Sequence, residues 1–146
     1  MKGFFLVFRG KELPMQGLHL TADIAGCHTN LKLMTDAKSL RRKCLELVDK
    51  SGLTAVSEVF HAFPGLHEGE CGGVTGTVLL AESHLALHTW PELGAVTFDV
   101  YVCNFSMDNS GKAATLLESL ITLFQPTDIV RNQLTRGEVG AVVTTA

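Results

Sequence analysis

Residues 97–102 read Thr-Phe-Asp-Val-Tyr-Val, and this alternation constrains the fold more than any other segment. Side chains on a strand point to opposite faces in turn, so the pattern predicts a strand with one covered and one open face. The strand is read over 95–102, and others over 4–8, 18–24, 54–63, 74–81, 85–89 and 128–135. Two helices are predicted. Residues 36–51 put Leu40, Cys44, Leu47 and Val48 at helical spacing, with Thr35 or Asp36 as cap and Gly52 as stop. Residues 109–124 put Ala113, Leu116, Leu117, Leu120 and Leu123 on one side, with Ser106 and Asp108 as capping candidates and Pro126 as terminator. Strands in the middle with a helix before and a helix after predict an α+β fold. It is read as a two-layer α/β sandwich, a mostly antiparallel sheet with helices on one face. The glycine-rich segment 64–73 is expected to be a mobile loop, and the tail after Gly137 to fray.

A chain of 146 residues, 46% hydrophobic and 18% charged, fits one domain over 1–146 with a core of its own. A net charge of −3 with no basic run argues against nucleic-acid binding. The apolar run 4–8 ends at Arg9, too short for a signal peptide, and no stretch approaches a membrane span. The expected compartment is the cytoplasm. The four cysteines, Cys27, Cys44, Cys71 and Cys103, form no CxxC pair and are expected to be free thiols. Cys44 reads as a core filler.

The chemistry concentrates in residues 82–92. The Ser83 hydroxyl can attack the carbonyl of Glu82 and turn the amide into an ester, provided the fold strains the bond and stabilises the oxyanion. Removal of the serine α-proton then eliminates the ester, and hydrolysis leaves a pyruvoyl group at position 83. His88 is the candidate base, since a neutral imidazole with a pKa of about 6.5 accepts a proton near neutrality. Cys103, at the end of the next strand, is a candidate proton donor with a reference pKa of about 8.5. Thr75 could set a hydroxyl beside the cleavage site, while Trp90 and Glu92 could stack on and hydrogen-bond a ligand. Each residue taken alone has a plainer reading: a surface serine, a structural histidine, a core thiol, a turn, a corner stiffened by Pro91. Their combination favours the chemical one. His84 and His88 form an HxxxH pattern, but the segment is poor helix and offers no third ligand, so no metal is expected.

The segment 73–103 closely resembles the bacterial and archaeal S-adenosylmethionine decarboxylase proenzymes. The shared features are a Gly-Val-Thr-Gly turn, Glu82-Ser83-His84, His88-Thr89-Trp90-Pro91-Glu92, and Cys103. Weaker similarity runs through Gly17-Leu18-His19-Leu20 and Phe60-His61-Ala62-Phe63. The resemblance implies self-cleavage into a 1–82 β chain and an 83–146 α chain, with the pyruvoyl cofactor made from Ser83. It implies that His88 drives the elimination and that Cys103 returns a proton after carbon dioxide leaves. It further implies a homodimer with sites near the interface, Glu92 on ribose hydroxyls and Phe63 stacked on adenine. Thr75 stands where many relatives have serine, the link between Phe63 and Val74 is longer, and an extension precedes Gly17.

The expected function is decarboxylation of S-adenosylmethionine in polyamine biosynthesis, through a Schiff base between the substrate amine and the pyruvoyl carbonyl. Pyruvoyl decarboxylation of ornithine or arginine stays open, with Glu68 and Glu70 of the longer link as candidate partners for a distal cation. So does a different class, an uncleaved, non-catalytic paralogue that binds a ligand or a partner enzyme.

Overall fold

The structure, a computed structural model, describes residues 16–137. The strand predicted over 4–8 and the tail after Gly137 lie outside the described residues. Within them run β1 (Gly17–Ala25), α1 (Leu31–Thr35), α2 (Ala37–Lys50), β2 (Thr54–Pro64), β3 (Cys71–Ala81), β4 (Ser83–Trp90), β5 (Ala95–Cys103), α3 (Ser110–Phe124) and β6 (Asp128–Arg136). A single 3₁₀ turn, Pro91–Leu93, joins β4 to β5. The strands form one six-stranded sheet in the order β2-β3-β4-β5-β1-β6, with every neighbouring pair antiparallel.

The alternation in β5 does what its pattern dictates. Val96, Phe98, Val100 and Val102 are buried, and the residues between them are only partly covered. Leu20, Ala22 and Ile24 of β1, Leu85 and Leu87 of β4, and Val74 and Val78 of β3 join them under the helices. On the helix side Leu40, Cys44 and Val48 of α2 pack with Ala113, Leu116, Leu120 and Phe124 of α3. Leu47 and Leu123, expected in the core, are half-buried at its margin. The opposite sheet face carries no helix among the described residues.

Helix α1 escapes a periodicity reading because its five residues make little more than one turn. Asn30 caps it by accepting from the Lys32 N–H at 2.9 Å. Asp36 ends α1 and caps α2, accepting from the Lys38 N–H at 2.9 Å and the Ser39 hydroxyl at 3.0 Å. Gly52, at φ +82°, follows the last turn of α2 as the expected stop. At the start of α3, Asp108 accepts from the Ser110 N–H at 2.9 Å, whereas the capping position itself is Asn109. The segment 64–73 is also shorter as a loop than expected. Pro64 pairs with Cys71, so only residues 65–70 lie outside the ladder, and β2 as an edge strand tolerates the proline.

The hydrogen bonds from Ser39 and Lys38 hold the Asp36 carboxyl below its ordinary value of 3.8. A carboxylate depressed in the folded state stabilises the fold above its unfolded pKa and ceases to do so as pH falls through its folded pKa. Asp36→Asn retains a capping oxygen but not the charge. Thermal unfolding should show the variant below wild type near neutrality, with the gap closing as pH falls below 3.8. A gap of constant size down to acid would contradict a role for the carboxylate charge.

Candidate active site

Strand β4 organises the site. Leu85, Leu87 and Thr89 face the core, so His84, Ala86 and His88 face the open side of the sheet. Thr89 is fully buried and satisfied: its hydroxyl accepts from the Val74 N–H at 2.7 Å and donates to the Met34 carbonyl at 2.6 Å. That bond ties α1 to the sheet directly beneath His88 and Trp90. Gly73 has no room for a side chain, because a Cβ there would overlap the Thr89 carbonyl oxygen.

At the C-terminal end of β4, Thr75 is the register partner of His88, and the Thr75 hydroxyl is hydrogen-bonded to His88 Nδ1. The His88 ring lies 4.1 Å from Trp90 and 6.1 Å from Phe63, centroid to centroid. His61 meets the edge of Phe63 at 4.7 Å. The rings of Phe63, His88 and Trp90 border a cleft of about 720 Å³ lined also by Glu92 and by the tip of the β2–β3 hairpin.

The other end of β4 holds the Glu82–Ser83 bond. Ser83 has φ +114°, a conformation that L-residues rarely adopt. The Glu82 carbonyl accepts from the Cys103 N–H at 3.4 Å, and Ser83 stands opposite Val102. Cys103 is half-buried, and its carbonyl accepts from the Asn109 side chain at 3.3 Å. Among the described residues Glu82 Oε2 is buried with no hydrogen-bond partner.

The expected residues therefore form two groups. Glu82, Ser83 and Cys103 come together, as do Phe63, Thr75, His88, Trp90 and Glu92. The groups do not meet within one chain, because five residues of strand separate Ser83 from His88 by about 16 Å. Thr75 is equally remote from Ser83 of its own chain, since Ser83 pairs with Leu80, five residues further along β3. The signal was partly available in the sequence: the strand read over 85–89 extends most of the path, and the observed β4 begins at Ser83 itself. The same rise puts His84 and His88 about 13 Å apart, too far to share a metal. Among the described residues no three His, Cys, Asp or Glu side chains converge as a metal site.

Sequence reasoning missed a cluster on the open face near the Ser83 end. His19 is hydrogen-bonded to Asp99, and Tyr101 lies 5.7 Å from His19 and 5.8 Å from His84. The Arg136 guanidinium sits 4.8 Å over the Tyr101 ring. Asp99 and Tyr101 were visible as the outward positions of the β5 alternation. Cys44, by contrast, is a core thiol whose burial pushes its pKa up to about 12, far from any nucleophilic use.

A family model described as S-adenosylmethionine decarboxylase matches residues 18–137. The chain belongs to the S-adenosylmethionine decarboxylase family. It is 31% identical over 121 residues to an S-adenosylmethionine decarboxylase proenzyme of Picrophilus torridus, covering 83% of this chain and 84% of that one. A proenzyme of the same description from Hydrogenobaculum is 35% identical, with 83% and 81% covered. The crystal structure of the adenosylmethionine decarboxylase of Aquifex aeolicus superposes with a TM-score of 0.73 at 32% identity, covering 88% of this chain and 97% of that chain. The family is one of pyruvoyl-dependent carboxy-lyases made as self-cleaving proenzymes of spermidine biosynthesis, with S-adenosylmethionine as the substrate it implies. Among the described residues no helix is long and apolar enough to cross a membrane.

Proposed function

We propose that this chain, a single domain, cuts itself between Glu82 and Ser83 and, as a dimer of cleaved protomers, decarboxylates S-adenosylmethionine. The observation that carries the reading is the Ser83 end of β4. There a serine in a rarely populated conformation sits against a carbonyl held by the Cys103 N–H and beside an unpartnered, buried carboxylate oxygen. Strain and an orphaned acceptor are what a bond destined to break requires of its surroundings.

The cleavage needs only groups of the chain and water. Ser83 Oγ attacks the Glu82 carbonyl carbon, the C–N bond breaks, and an ester joins the two halves. Loss of the α-proton of residue 83 expels the Glu82 carboxylate and leaves dehydroalanine. This residue tautomerises to an imine, which water hydrolyses to a pyruvoyl group still amide-linked to His84, releasing ammonia. The resulting pyruvoyl carbonyl would supply the electron sink for loss of carbon dioxide. Cys103 holds the proton returned to the substrate α-carbon, Phe63 and Trp90 stack on the nucleoside, and Glu92 accepts from ribose hydroxyls.

His88 is the base for the α-proton, and it acts from a second copy. In the tautomer whose Nδ1–H donates to Thr75, the Nε2 lone pair is free to accept. Two open faces stacked about a twofold axis running across the strands reverse strand direction, which carries His88 of one copy over Ser83 of the other. Ala86, small and central on β4, marks the crossing. Val59, Leu79, Val130 and Leu134 expose apolar surface on that same face, as a buried interface requires.

Intact-mass measurement should find fragments 1–82 and 83–146, the second beginning with a keto group. The cleaved protein should release carbon dioxide from S-adenosylmethionine and none from ornithine or arginine. Release from a basic amino acid alone would replace the substrate. A chain that stays whole would leave the non-catalytic binding reading in its place.

A further inference from the structure

The cleft beside His88 has one wall made by the hairpin tip 65–70. The tip has a defined shape. Gly65 N–H donates to the Glu70 carbonyl at 3.1 Å, and Glu70 N–H donates to the His67 carbonyl at 3.1 Å. One Glu70 carboxylate oxygen accepts from the His67 N–H at 3.3 Å. Its other oxygen has no partner among the described residues. Glu70 and Leu66 line the cleft with Phe63, Trp90 and Glu92, whereas Glu68 does not. No lysine or arginine lines it among the described residues.

We infer that Glu70 selects a purine by its exocyclic amine, accepting a hydrogen bond at the edge of a base stacked on Phe63. The inference rests on the proposed nucleoside substrate and assigns it a specificity residue. The order of groups along the wall supports it. With Glu92 on the ribose, the base extends toward Phe63, and Glu70, its backbone held by the Gly65 N–H, lines the same cleft. A carboxylate is acceptor-only. At position 6 it therefore accepts from the amino group of adenine and repels the oxygen of hypoxanthine, and a polar partner left unmatched is where specificity is largest. Because Glu70 is exposed, the preference belongs at the low end, roughly tenfold.

The test uses 5′-methylthioadenosine and 5′-methylthioinosine, thioether nucleosides without an amino acid moiety, titrated calorimetrically into the purified protein. Wild type should bind the adenine compound about tenfold more tightly than the hypoxanthine one. Glu70→Gln keeps the shape but offers donor and acceptor alike, so the ratio should fall to about one. Glu68→Gln should leave it unchanged. A ratio indifferent to Glu70→Gln, a loss equally produced by Glu68→Gln, or no binding of either nucleoside overturns the inference. Carbon dioxide release from S-adenosylmethionine is read separately. Turnover with a ratio indifferent to Glu70 sinks the inference alone, and a Glu70-dependent ratio without turnover sinks the decarboxylase reading alone.

Discussion

Co-expression of Ser83→Ala and His88→Ala chains should yield an 83–146 fragment beginning with a keto group, although neither variant makes it alone. Ser83→Ala has no hydroxyl to attack Glu82. His88→Ala loses the general base, a deficit of about 10²- to 10⁴-fold in comparable proton transfers. A mixed dimer restores one complete site, because the Ser83→Ala chain contributes its His88 over the intact Ser83 of the other. With equal expression and random pairing, about half of the His88→Ala chains sit in mixed dimers and should be cut. Mass spectrometry with an affinity tag on one chain identifies which chain was cleaved. Were His88 to serve Ser83 of its own chain, mixing would produce no fragment at all. The roughly 16 Å of strand between the two residues is why we expect otherwise.

Cys103→Ala should separate cleavage from turnover. Cys103 touches the scissile region through its backbone N–H, which accompanies any residue at this position, so the variant should still give both fragments. Its thiol is what the substitution removes. Carbon dioxide release should fall by about 10²-fold or more, the range in which loss of a positioned proton donor is felt. Cys103→Ser retains a weaker acid and should lie between the two. Unchanged turnover in Cys103→Ala would remove the thiol from the mechanism. Loss of cleavage would move its role to the maturation step.

Most of the fold was legible because its signals are periodic. The β5 alternation and the apolar spacing of α2 and α3 depend on side-chain direction alone, which sequence spacing records. What was missed depends on pairing. Helix α1 is too short for a period, and its place is set by a buried hydrogen bond from Thr89, 55 residues away. The extent of the β2–β3 hairpin follows from Pro64 meeting Cys71 across the ladder, and that register decides which acidic side chain of the tip enters the cleft. The site showed the same division. Its chemical groups stood in the Glu-Ser-His to Trp-Pro-Glu segment, but their distances required the strand to be taken at its full length. The His19–Asp99 contact joins β1 to β5 across most of the chain and had no local signature.

The strand order also governs what happens after the cut. A break after Glu82 would leave β1, β2 and β3 on one piece and β4, β5 and β6 on the other. Yet β1 lies between β5 and β6, so the pieces interlock like clasped fingers. Three ladders, β3 to β4, β1 to β5 and β1 to β6, would have to open before either piece could leave. Cleavage would thus be silent in the shape of the molecule but permanent in its history. The uncut chain can find its fold by a unimolecular search, whereas the cut pieces, once denatured, must first meet. Return of the protomer's secondary structure from denaturant should then depend on protein concentration for the mature form and not for the precursor, so that each molecule passes through the easy route only once.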